Sequence, residues 1–423
     1  VILYQGKRYQ NSKQVELIDG LRSDCFKTLY EEERITPDIV INACDVLVSK
    51  IEEGVYDSLI MPLLVEFDIP KEQFHLYVDV FKKESLEKKV EIELGSDYLE
   101  LAPLDEFNTR EIHPLGILFH IAAGNVDVLP AYSVIEGLLT GNINILKLPS
   151  GDRGVSVELL EELINIEPRL RDYIYVFDVP STELDTLKML GDISDAIIVW
   201  GGDEAVATAR KMASINTKII EWGHKLSFAY AGIDASEEDL KGIAKNIITT
   251  NQLLCSSAQG IFVDTTDRNE LDDFASRFFE IFLEVQKDHI KVPFGMRSKN
   301  ALELYYEEMV QKETNKKIWK KDGLSIITSD DSKLELSLLF RNVWIKMLPH
   351  EEIIHVIKPH KNHLQSVSVL SDHKYDIYKE LLIQAGLVRI KKASEMSEVL
   401  LGESHDGMYP LRLYSRMVEI YNK

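Results

Sequence analysis

Cysteine is scarce in this chain of 423 residues: Cys25, Cys44 and Cys255 are the only three. They lie far apart, are odd in number and never form C-x-x-C. That excludes a disulfide framework or zinc ribbon and fits a reducing cytoplasm. Basic charge is also short, with 48 Lys and Arg against 70 Asp and Glu and a formal net charge of −22. Nucleic acid and anionic lipid are polyanions that bind through clustered Lys and Arg, so neither is an expected partner. No uncharged apolar run reaches the roughly 18 residues of a membrane span. No basic segment leads into an apolar one near the start, so no secretory signal is read.

Two motifs are missing as well. No strand-to-helix turn carries G-x-G-x-x-G, the common dinucleotide fingerprint. The densest histidine set is "HEEIIHVIKPHKNH", residues 350–363. His350 and His355 are five apart, not the four that put two ligands on one helical face, and Pro359 interrupts the segment. A solvated face without metal is expected there.

What remains is an ordinary globular composition, 45% hydrophobic and 28% charged, long enough for two or three domains. Residues 1–90 show apolar positions at i, i+3 and i+4, which predicts helices, with Cys25 and Cys44 buried in them. "KKVEIELGSDYLELAP", residues 88–103, alternates around Gly95-Ser96-Asp97 and predicts a hairpin. An exposed edge strand needs a partner, so this hairpin is a candidate oligomerisation arm and a homo-oligomer is expected.

From residue 113 strands and helices alternate: "GILFHIAAGN", "PAYSVIEGLLTG", "NINILKLPS", "DYIYVFDV", "STELDTLKMLGD", "DAIIVWGG", "DEAVATARKMAS" and "TKIIEWG". Such a series predicts an α/β, doubly wound parallel sheet, which binds ligands outside the carboxyl ends of its strands. The loops to watch are 122–126, 147–152, 201–204 and 221–225. A second α/β domain is expected over 225–405, after a first over 1–224, with 406–423 as a tail.

Four features of the sequence invite chemistry. Gly201 and Gly202 permit close backbone approach to an anion at a helix N-terminus, or simply a tight turn. Lys147 ends the "NINIL" strand and reads as an exposed cation, able to pair with a ribose or phosphate or to remain solvated. Cys255, in "NQLLCSSAQG", is either a packed thiol or a nucleophile. A nucleophile needs a group that removes its proton or lowers its pKa, and Glu221, at a strand end, is the available acid.

Taken together, these stretches resemble a known superfamily. "EWGHKLSFAYAG" (221–232) followed by "NQLLCSSAQGIFVD" (251–264) resembles the general-base and nucleophile motifs of the aldehyde dehydrogenases, with the same separation of 34 residues between Glu221 and Cys255. "HPLGILFHIAAGN", "TGNINILKLPSGD" and "IIVWGGDEAV" resemble three further motifs in the same order. "HIAAGNV", "EWGHK", "LLCSSAQ" and the terminal "SHDGMYPLRLYSRMVEIY" are most similar to the acyl-CoA reductase (LuxC-like) branch, typified by the fatty acid reductase of bacterial bioluminescence.

The resemblance implies an aldehyde dehydrogenase-like fold with nucleotide-binding and catalytic domains, and reduction of an acyl thioester to an aldehyde. Cys255 would be the nucleophile. Asn125 and the Cys255 backbone N–H would form the oxyanion hole, and Glu221 takes the general-base position. Lys147 would contact the adenosine ribose or its phosphate, with Gly201, Gly202 and Gly223 on the cofactor side. Ser150 stands where many NAD-preferring members carry an acid. A carboxylate there would repel a 2′-phosphate, so NADPH is expected, with NADH possible. The acyl donor would be acyl-CoA or an acylated partner protein, in a possible fatty acid reductase complex. Two departures stand out. Ala123-Gly124 replaces the usual Pro-Trp, and "LLFRN" (338–342) is the nearest stretch to the nicotinamide-ribose motif but lacks its acid. A non-redox acyl transferase or thioesterase using the same cysteine, and a CoA-acylating aldehyde dehydrogenase working oxidatively, are the alternatives.

Overall fold

A computed structural model describes residues 1–31, 33–66, 78–95, 102–122, 128–150, 152–289, 292, 294–310 and 314–422. The strands, in chain order, are β1 (Ile2–Tyr4), β2 (Lys7–Tyr9), β3 (Ala102–Pro103), β4 (Asn108–Pro114), β5 (Ile117–Ile121), β6 (Ile143–Lys147), β7 (Ile174–Phe177), β8 (Ala196–Trp200) and β9 (Lys218–Trp222). They continue with β10 (Leu226–Ala231), β11 (Ala258–Val263), β12 (Lys317–Lys321), β13 (Leu324–Ser329), β14 (Asn342–Met347), β15 (Leu364–Leu370), β16 (Arg389–Ile390) and β17 (Ser415–Tyr421). Two compact units result, 1–223 together with 400–423, and 224–399.

The first unit is built on a seven-stranded sheet in the order β2-β1-β7-β6-β5-β8-β9. Strands β5 to β9 run parallel, joined by the helices Leu129–Leu139, Val155–Ile166, Leu184–Asp192 and Asp203–Met212. Helices on both faces leave β6, β7 and β8 buried along their whole length, so these strands show no polar alternation. The chain winds from β5 through β6 to β7, then crosses back to place β8 on the other side of β5. The carboxyl ends of β5 and β8 therefore flank the topological switch point, where open α/β sheets hold their ligands.

Three sequence expectations change in this unit. Residues 1–90 are not wholly helical, because β1 and β2 form an antiparallel ribbon on the edge of β7. These three-residue strands are too short to show a period. The expected 88–103 hairpin is not formed over 88–94. That stretch belongs to the helix Lys83–Leu94, which buries Leu86, Val90, Lys89 and Glu93 and ends at Gly95 with φ +96°. Residues 96–101 lie outside the described residues, and Ala102–Pro103 pairs with β4. The alternation of Val90, Ile92 and Leu94 misled because a short amphipathic helix can carry it too. Its inner face is pinned by charge: Lys89 Nζ lies 2.6 Å from Glu93 Oε1 and 3.0 Å from Glu136 Oε1. The third change concerns the tail expected at 406–423. It returns to this unit, where β17 pairs with β4 over seven residues and Glu93 accepts the Leu411 N–H at 2.7 Å.

The second unit has a seven-stranded sheet in the order β12-β13-β14-β11-β10-β15-β16, parallel except at β12. Helices Glu237–Thr250 and Arg268–Gln286 pack on one face, and Tyr378, Leu382 and Ala385 of Tyr375–Ala385 pack on the other. The sheet is irregular at one place. Ser227 and Ala229 of β10 face Ala258 and Ile261 of β11, while Leu226 and Phe228 face Leu364 and Val367 of β15. β15 thus carries one extra residue opposite Ser227 and β11 one extra opposite Phe228, as in bulges that re-aim side chains.

Candidate active site

At the carboxyl edge of the first sheet, Gly201, Gly202 and Gly223 follow the adjacent strands β8 and β9, and Lys147 ends β6, on the far side of β5. Gly201 follows β8 and donates its N–H to the Trp222 carbonyl of β9 at 3.1 Å. A Cβ at Gly201 would come within 2.9 Å of the Ala205 Cβ, and one at Gly223 would meet the Gly201 carbonyl at 3.9 Å. The two loops therefore pass close together with no side chain between them. Gly202 is the N-cap of Asp203–Met212. The first turn of that helix also carries Asp203 and Glu204, both exposed, which oppose an anion there. Asn125 lies outside the described residues.

Lys147 departs from the expected exposed cation. It is buried at the end of β6, where its ammonium donates to Ser181 Oγ at 3.0 Å. Burial pushes its pKa down and Asp178 opposes that shift. Ser150, in the following turn, is exposed. A cavity of about 380 Å³ opens here, lined by Leu148, Pro149, Asp152, Arg153, Gly154 and Asp178 among others. Arg153 was not legible as a site residue, since one arginine in a loop carries no pattern.

Beneath this edge runs a directional polar chain. Trp200 Nε1 donates to Ser133 Oγ (3.0 Å), which lies 2.7 Å from His120 Nδ1. His120 Nε2 is 3.0 Å from Asn144 Oδ1, and Asn144 donates its own amide to the Asn142 carbonyl. Each donor meets an acceptor only if His120 is neutral with its proton on Nε2. Full burial pushes this imidazole down to about 4, against the opposing bond to Asn144. The chain ties β5, β6 and β8 to the helix Leu129–Leu139.

Glu221 sits near the end of β9. Its Oε1 accepts from Arg210 Nε at 2.5 Å and its Oε2 from Arg210 Nη2 at 2.8 Å. Arg210 comes from the last turn of the helix on that face. Both carboxylate oxygens are thus engaged by one planar guanidinium, a fork of charge-assisted bonds.

In the second unit Cys255 is exposed, whereas Cys25 and Cys44 are buried. It occupies the turn between Glu237–Thr250 and β11, at the amino edge of the sheet. The turn is strained: Asn251 and Gln252 have φ +48° and +63°. Facing it, Leu339, Phe340 and Arg341 hold φ +57°, +47° and +70°. Non-glycine residues in this region cost about 1–2 kcal/mol each and persist only where surrounding contacts over-determine them. Those contacts are present. Phe340 N donates to the Asn251 carbonyl and Arg341 N to Gln252 Oε1, both at 3.0 Å. Gln252 and Gln259 exchange further bonds through backbone carbonyls, and Ser337 donates to Gln259 Oε1 at 2.8 Å. Residues 338–342 thus buttress the cysteine turn.

Polar Ser256 and Ser257 are buried within the turn, while Leu253 and Leu254 are 47% and 40% exposed. The surface beside the thiol is therefore more apolar than the sequence around it suggests. From the sheet, Ser227 Oγ donates to the Cys255 carbonyl at 2.7 Å and accepts the Ser366 N–H at 3.0 Å. Gln365 Nε2 lies 3.4 Å from Cys255 Sγ. Sequence reasoning missed Gln365, which lies 110 residues from the cysteine and outside every motif.

The histidine-rich segment is helical in pieces and solvated only in part. His350 donates its N–H to Asp264 Oδ1 at 2.8 Å and places Nδ1 3.0 Å from the same oxygen, while Lys374 and Tyr378 donate to Oδ2. Burial opposes ionisation of Asp264, but the bonds from Tyr378, Lys374 and His350 prevail and bring its carboxyl to about 2. Asp264, His350 and Glu351 have metal-ligand spacing, yet Lys374 already supplies the counter-charge.

The acyl-CoA reductase (LuxC) family profile matches residues 55–417. The chain belongs to this family. Among curated relatives, it is similar to the long-chain acyl-protein thioester reductase of Aliivibrio fischeri, 25% identical over 354 residues, covering 79% of this chain and 70% of the relative. It is likewise similar to that of Photorhabdus luminescens, 27% identical over 340 residues, covering 76% and 68%. Among solved structures, the glyceraldehyde-3-phosphate dehydrogenase GapN of Methanocaldococcus jannaschii, complexed with NADP, superposes with a TM-score of 0.68 at 15% identity, covering 98% of this chain and 95% of that one. Lactaldehyde dehydrogenase of Escherichia coli gives 0.68 at 15%, covering 98% and 92%. The fold is that of the aldehyde dehydrogenases.

Proposed function

We propose that this protein reduces acyl thioesters to aldehydes through an acyl group carried on Cys255. The observation that carries this reading is the exposed thiol itself, held on a strained turn beside Leu253 and Leu254. The thiolate attacks the thioester carbonyl, a new C–S bond forms, and the donor thiol leaves with a proton. The acyl-enzyme is again a thioester. A nicotinamide cofactor, when bound, supplies the hydride that reduces it. The thiohemiacetal on Cys255 then collapses, releasing aldehyde and restoring the sulfur.

Glu221 is assigned to moving the proton, from the Cys255 thiol or onto the leaving thiol. Arg210 holds its carboxylate in place and leaves a lone pair on each oxygen for that proton. Asn125 and the Cys255 N–H are assigned to the carbonyl oxygen, where a fixed donor lowers the barrier by roughly 3–4 kcal/mol. The open glycine edge fits a dinucleotide, held by Gly201, Gly202 and Gly223, with Lys147 and Ser150 on the adenosine side. Ser150 supports NADPH as the preferred cofactor, with NADH as the weaker one. The exposed leucines support a fatty acyl group. The names of the curated relatives favour an acylated partner protein as donor, with acyl-CoA as its soluble surrogate.

The test is to incubate the protein with acyl-CoA or an acylated carrier protein and NADPH. Absorbance of the reduced nicotinamide is followed and aldehyde is trapped, with Cys255→Ala as control. Aldehyde formed by the unmodified protein alone supports the reading. An acyl-enzyme without cofactor oxidation would instead indicate a non-redox acyl transferase or thioesterase.

A further inference from the structure

We infer that Gln365 is a thiolate-stabilising residue: its side-chain amide donates a hydrogen bond to the Cys255 sulfur and favours the ionised, nucleophilic form. This rests on the proposed role of Cys255 and adds a residue to it.

Three observations converge. Gln365 is only 2% exposed, and its Nε2 lies 3.4 Å from Sγ, a normal length for a bond to sulfur. The bond is the second half of a clamp, because Ser366, the next residue of β15, reaches the Cys255 carbonyl through Ser227 Oγ. The register of β15 is irregular at the same place. Between Leu364 and Val367, β15 has one residue more than β10 has between Leu226 and Phe228. Gln365 thus reaches the turn through its side chain and Ser366 through its main-chain N–H, at the point where the extra residue sits.

The sulfur needs such a donor. Cys255 follows the carboxyl end of the helix Glu237–Thr250, whose dipole disfavours an anion, and the chain carries a net charge of −22. The ionisable groups of the elements meeting at this edge are His224 and Lys225 before β10, His363 before β15, and Arg341 under the turn. Lys225 donates to the Asn362 carbonyl at 2.8 Å, His363 Nδ1 lies 3.2 Å from the His224 carbonyl, and Arg341 donates to Asn251 Oδ1 at 3.2 Å. Gln365 places a neutral N–H on the sulfur itself. A hydrogen bond to the charged form of an acid favours that form.

The experiment measures the rate of Cys255 alkylation by iodoacetamide against pH, read by peptide mass spectrometry, in the unmodified protein, Gln365→Leu and Gln365→Glu. Gln365→Leu should move the titration midpoint up by about one unit, a roughly tenfold loss of thiolate on the acidic side, and leave the high-pH plateau unchanged. Gln365→Glu, nearly isosteric, should move it further, since a carboxylate repels the thiolate. Circular dichroism confirms folding, and Gln365→Glu carries the test if the leucine variant does not fold. Superimposable profiles in the folded variants would overturn the inference. Alkylation needs neither cofactor nor acyl donor. A shifted midpoint in a protein that produces no aldehyde would therefore leave Gln365 standing and remove the proposed reaction instead.

Discussion

Arg210 grips Glu221 by both carboxylate oxygens, at 2.5 and 2.8 Å. The guanidinium is 64% exposed and the carboxylate 28%, so the arginine is a removable partner of a half-sheltered acid. Each oxygen keeps a second lone-pair direction open to another donor while the guanidinium holds it.

Two substitutions separate the partners. Glu221→Gln keeps the shape and removes the proton acceptor, and should lower kcat for acyl thioester reduction by roughly 10²-fold, within the usual range for a lost acid or base. Arg210→Ala removes a solvent-exposed ion pair worth about 0–1 kcal/mol. It should leave the unfolding free energy within that margin and change the pH profile of kcat. An unaltered rate in Glu221→Gln would release Glu221 from any proton-transfer role.

The three thiols should separate cleanly. Burial pushes Cys25 and Cys44 up to about 12, with Asp24 and Asp45 adding to the shift. Near neutral pH their thiolate fraction is negligible, and only the thiolate reacts. Titration of the native protein with a disulfide reagent should give one equivalent, located at Cys255, and three equivalents in denaturant. Two or more fast thiols in the native state would contradict the burial of the N-terminal helices.

Ser150→Glu should reverse the cofactor preference. The exposed side chain follows the buried Lys147 by three residues. A carboxylate there would repel a 2′-phosphate while accepting bonds from ribose hydroxyls. kcat/KM with NADPH should fall by roughly tenfold, a cost of about 1.4 kcal/mol, while that with NADH holds or rises. An NADH preference in the unmodified protein would show that Ser150 does not decide the matter and would direct attention to Asp178.

Gly137→Ala tests the packing beneath the cofactor edge. A Cβ at this position of the helix Leu129–Leu139 would lie 1.8 Å from Asn144 Oδ1. Both sides are buried, so the helix or the asparagine must shift. Overpacking of this kind costs about 1–3 kcal/mol, which thermal unfolding would detect. A stability equal to the unmodified protein would mean that the helix-to-sheet approach is looser than these distances.

The parallel sheet of the first unit was legible because period and punctuation agree there: every strand from "GILFHI" to "TKIIEW" forms where the apolar runs lie. Short and ambiguous stretches were not. Residues 88–94 satisfy a strand's alternation and a helix's i, i+4 spacing at once, and the pairing of Lys89 with Glu93 and Glu136 decides for the helix. β17 was hidden because its partner, β4, lies some 300 residues away. Cys255 and Glu221 were singled out by their motifs. Arg210 and Gln365 were not, since each earns its place only by folding onto a residue that the motif names. His120 sat in plain sight inside "LFHIAAGN", and nothing in the string tells a buried, neutral imidazole from a catalytic one.

That buried imidazole makes stability depend on pH. His120 ordinarily titrates near 6.5, and burial lowers it to about 4 in the folded protein. Between these values the unfolded chain binds a proton that the folded one refuses, so stability falls as pH falls. The contribution is intact above 6.5 and decreases progressively down to about 4. A shift of this size amounts to about 3 kcal/mol in all, of which about 2 is lost between pH 7 and pH 5. Protonation would also put a donor on Nδ1 against the Ser133 hydroxyl, which already accepts from Trp200. Urea unfolding at pH 7 and pH 5 should therefore show a steeper loss in the unmodified protein than in His120→Gln, whose side chain cannot ionise. The difference between the two slopes isolates this residue from the other titrating groups. Parallel slopes would mean that His120 takes up its proton without breaking the chain from Trp200 to Asn144.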